Sequence, residues 1–550
     1  MSSINGLQFA KMVEMGSHHL HQNADYVDSL NVFPVPDGDT GTNMNLSMTS
    51  GAKETTLHAQ DHIGLTAQAF SKGLLMGARG NSGVILSQLF RGFSKRIESE
   101  VQVSVHQFAE ALQYGVETAY KAVMKPVEGT ILTVAKDAAA AAVSHIGEAK
   151  DLTELMEIIV EEAQASLKRT PDLLPVLKEV GVVDSGGQGL VYVYEGFLAC
   201  LKGVDLPKKT VRHSMDDLVN TEHHRSVQGF MNTEDIVFGY CTEFMVKLDS
   251  DKLLDMPFDE VKFRQELSDL GDSLLVISDE EVVKVHIHTE APGDALSYAQ
   301  KYGALTKMKI ENMREQHSEI MDRESTTVAP KQHKYAIVTV SMGSGIAELL
   351  KSIGASAVIE GGQTMNPSTE DIVKIIQEIG AEKVLILPNN KNIIMAAEQA
   401  AEVLEIEAVV VPTKSVPEGL AAILAFNPEA TVKKNAQVMQ EAASLIKTGQ
   451  VTNAVRDTSI DGVSIRKDDF MGIAEGKITS SDSSLQDVTK NLVSSMIGEE
   501  DEIVTIIYGE DVTEDEAQEI SVYIEQQFDH VDVELYAGKQ PLYPYILSVE

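Results

Sequence analysis

The sequence predicts a multidomain protein in which an all-α N-terminal domain precedes a small α/β middle domain and a larger α/β C-terminal domain. At 550 residues the chain is too long for one ordinary hydrophobic core. Helical periodicity dominates the first two hundred residues, and apolar strands alternate with helical stretches in the last two hundred. The predicted segments are domain 1–206, linker 207–228, domain 229–313, linker 314–334 and domain 335–550.

In the N-terminal domain, apolar residues recur every three or four positions, as expected for helices that bury one face. Phe108, Leu112 and Val116 follow this spacing, and so do the apolar residues of 152–163. Thr170 precedes Pro171, a pair that favours an N-cap and a first helical turn. We therefore expect a new helix to begin there.

The middle and C-terminal domains combine strand-like and helical patterns. The C-terminal alternation predicts βαβ units with a parallel sheet, and the segments after Val451 look richer in strands, compatible with two lobes. The predicted strands are 243–248, 274–278 and 282–289 in the middle domain, and 336–340, 384–387 and 408–411 in the C-terminal domain.

Composition limits the functional classes. The first twenty residues lack a secretory signal, and no apolar run approaches the roughly 18 residues of a membrane span, which predicts a cytoplasmic protein without integral membrane association. The formal net charge of −38 disfavours nucleic acid as a partner. An anionic nucleotide would need local neutralisation by metal ions and helix N-termini, although the acidic excess is explained equally by solubility.

The segment 31–43 carries the most specific chemical signal. Asp37 and Asp39 are one residue apart, so their carboxylates can converge on one hard cation such as Mg²⁺. Asn31 or Asp28 is a candidate further oxygen donor. The alternative is an acidic turn that caps a helix at Thr42, and this segment alone does not separate the two interpretations.

Three more motifs, each a helix cap or tight turn by itself, form a candidate nucleotide pocket when taken together. Glycine-rich turns that lead into helices expose N–H groups to phosphate. No Walker motif or protein-kinase signature is present, so metal ions would carry most of the charge neutralisation. The candidate nucleotide-binding residues are Asn31, Thr40, Thr42, Asn43, Gly80, Asn81, Ser82, Gly83, Gly129, Thr130, Asp184 and Gly186.

Over about residues 1–205, these four ordered motifs resemble the nucleotide-binding subunit of the dihydroxyacetone kinases. The resemblance implies an α-helical barrel that holds ADP or ATP through two Mg²⁺ ions bound by aspartates, here Asp37 and Asp39. Asn31 and Thr40 stand where that family usually has a third aspartate and a histidine. This difference leaves the third metal ligand open.

The whole chain resembles the ATP-binding subunit of bacterial fatty acid kinase. That resemblance implies phosphorylation of a fatty acid presented by a separate DegV-type carrier, giving an acyl phosphate for phospholipid synthesis. Two alternatives stay open: a small-sugar kinase acting on dihydroxyacetone, and a nucleotide-sensing scaffold without catalysis. A homodimer is the default assembly.

The strand 282–290 adds a second candidate site. Alternation places Lys284, His286, His288 and Glu290 on one face, and two histidines at this spacing, with Cys241, are candidate zinc ligands. A polar strand face without metal is the alternative. The fatty acid kinase resemblance implies that His286 and His288 matter for activity, through zinc or through phosphoryl handling.

The glycine-rich stretch 361–368 lies between a predicted strand and a predicted helix. It resembles a loop of the DegV-type carriers, which suggests that the C-terminal domain is related to them. Ser368 is expected to cap the following helix, and the stretch is also a candidate docking loop for the carrier.

Overall fold

A computed structural model describes residues 2–31, 38–123, 125–204, 238–249, 252–253, 256–278, 282–312, 314, 334–362, 365–454, 457–460 and 462–550. These residues belong to two compact units, one formed by Met1–Pro207 with Gln332–Glu550 and the other by Lys208–Lys331. The predicted linker 207–228 lies outside the described residues, as does nearly all of the linker 314–334.

The N-terminal part of the first unit is helical, as predicted. Its interior is built around an aromatic cluster in which Phe9 stacks on Phe93 and Phe70 packs edge-on against Phe90. A short antiparallel pair, β1 with β2, joins two loops. The elements are β1 (Ser3–Asn5), α1 (Gly6–His21), α2 (Ala24–Ser29), α3 (Thr40–Leu57), α4 (Ile63–Gly77), α5 (Gly80–Arg96), β2 (Gln102–Ser104), α6 (Val105–Ala122), α7 (Ile131–Ser144), α8 (Leu152–Leu173), α9 (Pro175–Val180) and α10 (Ser185–Lys202).

The prediction of a helix start at Thr170 is wrong, because Pro171 lies inside α8 and the next helix begins at Pro175. A proline in this position leaves the carbonyl four residues earlier without its amide partner. That carbonyl belongs to Leu167, and the Thr170 hydroxyl donates to it at 2.7 Å. The hydroxyl that resembled a cap therefore lets the helix continue through proline for its last turn.

The C-terminal part of the first unit contains two lobes. The first has the predicted parallel sheet, in the order β10-β9-β7-β8. The second has a sheet in the order β15-β14-β11-β18-β16-β17, antiparallel except for the parallel pair β16 and β17. Both the parallel sheet and the strand-rich second lobe are confirmed.

The elements of the first lobe are β7 (Ala336–Ser341), α13 (Ser344–Ser352), β8 (Ala357–Glu360), α14 (Thr369–Ile379), β9 (Lys383–Leu387), α15 (Ile394–Val403), β10 (Glu407–Val410), α16 (Val416–Leu424) and α17 (Val432–Ala443). Those of the second are β11 (Lys447–Asn453), β12 (Thr458–Ile460), β13 (Val463–Ile465), β14 (Phe470–Ala474), β15 (Lys477–Asp482), α18 (Leu485–Met496), β16 (Ile503–Tyr508), α19 (Glu514–Gln527), β17 (Asp532–Ala537) and β18 (Tyr545–Val549).

The first lobe packs against α4 and α5 of the N-terminal helices. Ala78 and Val84 are buried in the same apolar cluster as Ile372 of α14. Gln399 of α15 adds a buried hydrogen bond, its Nε2 donating to the Ser87 hydroxyl at 3.1 Å. The N-terminal helices and this lobe therefore share a core, which fixes the loops at their junction.

The second unit is an antiparallel sheet in the order β4-β5-β3-β6 with two helices. All three predicted strands are confirmed, and alternate residues of β5 (Val283, Val285 and Ile287) are buried in its core. The elements are β3 (Tyr240–Leu248), α11 (Glu260–Ser268), β4 (Gly271–Ser278), β5 (Val282–Thr289), α12 (Pro292–Ala299) and β6 (Gly303–Asn312). Across the described parts of both units, no helix has the length and apolar character to cross a membrane.

Candidate functional site

The candidate metal site centres on Asp39, at the start of α3. Its side chain is 7% exposed and makes no capping hydrogen bond with its own helix. Asp28 of α2 supplies those bonds instead, accepting from the backbone N–H groups of Gly41 at 2.6 Å and Thr42 at 3.1 Å and from the Thr42 hydroxyl at 2.8 Å. The alternative in which Asp39 caps the helix is therefore wrong, and its carboxylate is available for another role.

Two carboxylates are crowded together at this point. Burial raises the pKa of Asp28 to about 6, against the opposing effect of its hydrogen bonds from Thr42 and Gly41, and the negative charge of Asp39 raises it further. Asn31, which is also buried, follows directly in the chain. A buried concentration of carboxylate and amide oxygens is the donor chemistry that Mg²⁺ takes, so the residues present fit this ion.

Asp37, the other half of the predicted pair, lies outside the described residues. Within the described part of the chain, no group of three or more His, Cys, Asp or Glu side chains is placed to hold a metal ion. The described half of the site is therefore Asp39 with Asp28 and Asn31 nearby, and the role of Asp37 stays a prediction from sequence.

The starts of several helices meet beside this group. Gly80 begins α5 with a φ of +56°, and a Cβ there would lie 2.7 Å from Nδ2 of Asn43 on α3. A Cβ on Gly186 of α10 would lie 3.2 Å from the Ile131 Cβ of α7 and 3.4 Å from the Ser82 hydroxyl of α5. The glycines of the predicted motifs thus allow these N-termini to approach closely, and their N–H groups favour an anion.

Asp184 has a structural part in this arrangement. Its buried carboxylate accepts from the Gly187 N–H at 2.7 Å and from the Ile131 N–H, so it caps α10 and α7 together. Burial raises its pKa to about 6, although both hydrogen bonds oppose that shift. Asp184 was predicted to bind the cofactor directly, and in this structure it holds two helix starts in place.

The remaining predicted residues lie around the same helix starts. Thr40 and Asn43 are buried in the first turn of α3, and Gly83 packs against Ser47, whose hydroxyl accepts from the Arg79 N–H at 3.2 Å. Gly129 adopts a φ of +85° ahead of α7, where Thr130 is the N-cap residue. Asn81 reaches the C-terminal lobe, its Nδ2 donating to Oδ1 of Asn392 at 3.2 Å.

One close neighbour of the site was not predicted. Nδ2 of Asn366, in the stretch 361–368 of the C-terminal lobe, donates to Oδ2 of Asp39 at 2.6 Å. The same stretch ends in the predicted cap, where Ser368 and Asp371 form a capping box at the start of α14. The sequence marked this stretch as a docking loop, but a single chain gives no signal that its contact is Asp39.

In the middle unit, the strand register places Cys241 opposite His288 and Glu243 opposite His286. His288 is 2% exposed, so it does not lie on a solvated strand face. The side chains of Cys241 and His286 lie outside the described residues. Zinc is not supported by the described side chains or by the related proteins.

A separate cavity of about 200 Å³ lies in the C-terminal part of the first unit, between its two lobes. It is lined by residues at the ends of β7 and β9, including Ser341 and Asn389, and by Gly361 and Gly362. The latter two begin the stretch that carries Asn366. The cavity and the Asp39 site are therefore joined by one short segment of chain.

Three family descriptions match the chain in order. Residues 34–199 match the DAK2 domain, residues 237–320 the FakA-like middle domain of fatty acid kinase, and residues 336–550 the FakA-like C-terminal domain of the same enzyme. Protein YloV of Bacillus subtilis (strain 168) is 59% identical over 552 residues, covering 100% of this chain and 99% of that protein. An uncharacterized protein of Staphylococcus aureus (strain USA300) is 55% identical and covers both chains fully, 100% of each.

Solved structures also resemble parts of the chain. A DegV-family protein from Ruminococcus gnavus has 13% sequence identity and a TM-score of 0.30, covering 40% of this chain and 99% of its own. The dihydroxyacetone kinase from C. freundii, in complex with AMP-PNP and Mg²⁺, has 20% identity and a TM-score of 0.28, covering 34% of this chain and 33% of its own.

Proposed function

Because this chain belongs to the FakA-like family of fatty acid kinase proteins and has a dihydroxyacetone-kinase-like N-terminal domain, we propose that it transfers the γ-phosphoryl group of ATP to a fatty acid carboxylate. The products would be ADP and an acyl phosphate for phospholipid synthesis. The family supports a kinase; the fatty acid acceptor is the specific part of the proposal.

The observation that carries the proposal is the meeting of helix starts beside the buried carboxylate of Asp39, all within the DAK2-like segment. In the proposed complex, the N–H groups at the starts of α5, α7 and α10 hold the phosphate oxygens. Asp39, with Asp37, holds the metal ion. Asn31 is the candidate third ligand, and Asp28 fixes the first turn of α3 that carries Asp39.

The reaction needs little from acid–base groups. A fatty acid carboxylate is ionised at neutral pH, so one of its oxygens attacks the γ-phosphorus without losing a proton. A new P–O bond forms to the carboxylate as the P–O bond to the β-phosphate breaks, and ADP takes the electron pair. Mg²⁺, when bound, offsets the negative charge on the phosphate oxygens. The chain positions the nucleotide through its helix starts and the cation through Asp39.

We propose that the acceptor is presented by a separate fatty-acid-binding protein of the DegV type. Both fatty acid kinase families that match the chain represent one component of that enzyme, which is consistent with a second component. A carrier would also solve a physical problem, because a long acyl chain is poorly soluble as a free substrate. A homodimer stays a prediction from sequence.

The test is transfer of ³²P from γ-labelled ATP to oleate with Mg²⁺, with and without a DegV-type carrier. Asp39→Asn and Asp37→Asn remove a carboxylate from the proposed site, and Asp25→Asn removes an exposed one from the neighbouring α2 as a matched control. Carrier-dependent label on oleate, lost in the first two variants and retained in the third, supports the proposal.

Two other outcomes would replace it. Labelled dihydroxyacetone formed without a carrier, with unlabelled oleate, would show a small-sugar kinase. Metal-dependent ADP binding without transfer to either acceptor would show a nucleotide-sensing scaffold. Both alternatives use the same nucleotide site, so only the acceptor measurement separates them.

A further inference from the structure

A side chain from the C-terminal lobe reaches the proposed metal site. Asn366 is 2% exposed, and its Nδ2 donates to Oδ2 of Asp39 at 2.6 Å although the two residues are 327 positions apart. A hydrogen bond between an amide and an ionised carboxylate is stronger and more directional than one between neutral groups. It therefore limits the orientations open to the Asp39 carboxylate.

The backbone around Asn366 is fixed independently. Nη1 of Arg79, the residue before Gly80, donates to the Asn366 carbonyl at 2.8 Å, and Nη2 of Arg79 lies 3.2 Å from Oδ2 of Asp371. The Thr369 N–H donates to the Ala78 carbonyl at 3.2 Å. Three contacts thus hold this segment on the turn between α4 and α5, and the Asn366 side chain is directed by a braced backbone.

The other amide atom of Asn366 points to a missing ligand. Its Oδ1 is buried and has no hydrogen-bond partner among the residues that the structure describes. Buried polar atoms are usually satisfied, so an orphaned one indicates a water molecule or an ion at the site. The orientation of the amide is set by chemistry, because only the NH₂ group can donate to the Asp39 carboxylate.

We infer that Asn366 is a positioning residue of the kinase site, orienting the Asp39 carboxylate for the metal–nucleotide complex, and that the site is therefore built from both the N-terminal helices and the C-terminal lobe. This inference rests on the proposed function. Its distinct content is that a residue outside the DAK2-like segment controls metal affinity. Groups that orient a metal ligand typically change metal affinity by about 10- to 100-fold when removed.

The experiment measures ADP binding to the full-length chain by calorimetry over a range of Mg²⁺ concentrations. Asn366→Leu keeps the side-chain volume and removes both amide atoms, and Asn366→Ala provides a second variant with a different packing change. The control is Glu402→Gln, which breaks the ion pair with Arg91 across the same interface, 3.4 Å between the charged atoms, without touching Asp39.

We expect both Asn366 variants to raise the Mg²⁺ concentration for half-maximal ADP binding by about 10- to 100-fold. Binding of ADP without metal should stay unchanged in all variants. Glu402→Gln should match the wild type, because an interface contact of purely structural value would not alter metal dependence.

An unchanged Mg²⁺ dependence in both Asn366 variants would overturn the inference, as would tighter Mg²⁺ binding, which would mean that Asn366 obstructs Asp39. An equal loss in Glu402→Gln would assign the effect to the interface in general and also refute it. If the wild type itself binds no ADP with Mg²⁺, the proposed function fails instead, so the two failures are distinguishable.

Discussion

The carboxylate of Asp184 accepts hydrogen bonds from the Ile131 N–H and from the Gly187 N–H of its own helix, and so ties α7 to α10. These two helix starts contribute to the proposed phosphate-binding surface. A single buried anion therefore maintains the spacing between two groups of donors, which makes Asp184 a suitable point at which to test how the site is held together.

Asp184→Asn should alter the pH dependence of stability. The unfolded carboxyl titrates near 3.8 and burial raises the folded pKa to about 6, so between these values the folded state binds more protons. Stability in this window therefore falls as pH rises, by up to about 2–3 kcal/mol for this group. An asparagine does not titrate, so the variant should gain stability relative to the wild type from pH 4 to 6 and change no further above that.

Hydrogen exchange of the first amides of α7 and α10, measured across this pH range, gives a local readout, and thermal unfolding gives a global one. Asp28, whose pKa is also raised, is present in both proteins and cancels in the comparison. A stability difference that is constant with pH would show that Asp184 does not titrate in this window.

Gly80→Ala should disrupt the site more than the backbone conformation alone explains. A non-glycine residue at positive φ costs on the order of 1 kcal/mol, and at Gly80 the new Cβ would also meet Nδ2 of Asn43 at 2.7 Å. Gly181→Ala is a matched control, because its φ is +75° and nothing lies within 4 Å of the added atom. Thermal unfolding and ADP titration should show a small stability loss for Gly181→Ala and a larger loss, with weakened ADP binding, for Gly80→Ala.

The sequence predicted those features that depend on local patterns. Helical periodicity located α6 and α8, and alternation located β5, because burial of one face imposes these spacings. It also predicted the caps at Thr130 and Ser368. The contact between Asn366 and Asp39 could not be predicted in this way, since 327 intervening positions separate two side chains whose local signals are unrelated.

The middle-domain histidines should affect transfer without affecting nucleotide binding. The fatty acid kinase resemblance implies a role for His286 and His288 in activity, whereas the proposed nucleotide contacts all lie in the N-terminal helices. We expect His286→Gln and His288→Gln to lower carrier-dependent phosphoryl transfer at least tenfold, or about 1.4 kcal/mol. Affinity for ADP with Mg²⁺ should match the wild type.

His106→Gln serves as the control, because it removes an exposed imidazole from α6. Since His288 is buried, circular dichroism should accompany each assay to show that the middle unit remains folded. Full transfer activity in both folded histidine variants would remove these residues from the reaction.

The Thr170 hydroxyl should be worth more than an ordinary helical threonine because Pro171 follows it. It donates to the Leu167 carbonyl at 2.7 Å and accepts from the Asp184 N–H at 3.1 Å, so Thr170→Val leaves buried backbone groups unsatisfied, at a cost of about 1–3 kcal/mol. In the control, Thr56→Val, the lost hydroxyl donates to an exposed helix carbonyl and should matter little.

Pro171→Ala makes the test specific. Alanine at 171 restores an N–H for the Leu167 carbonyl, so the hydroxyl of Thr170 becomes partly redundant and Thr170→Val should cost less in that background. The double-mutant cycle, measured by chemical denaturation, should give a coupling energy of about 1 kcal/mol between the two positions. Additive effects would mean that the hydroxyl does not compensate for the proline, and that α8 tolerates Pro171 only because the helix ends two residues later, at Leu173.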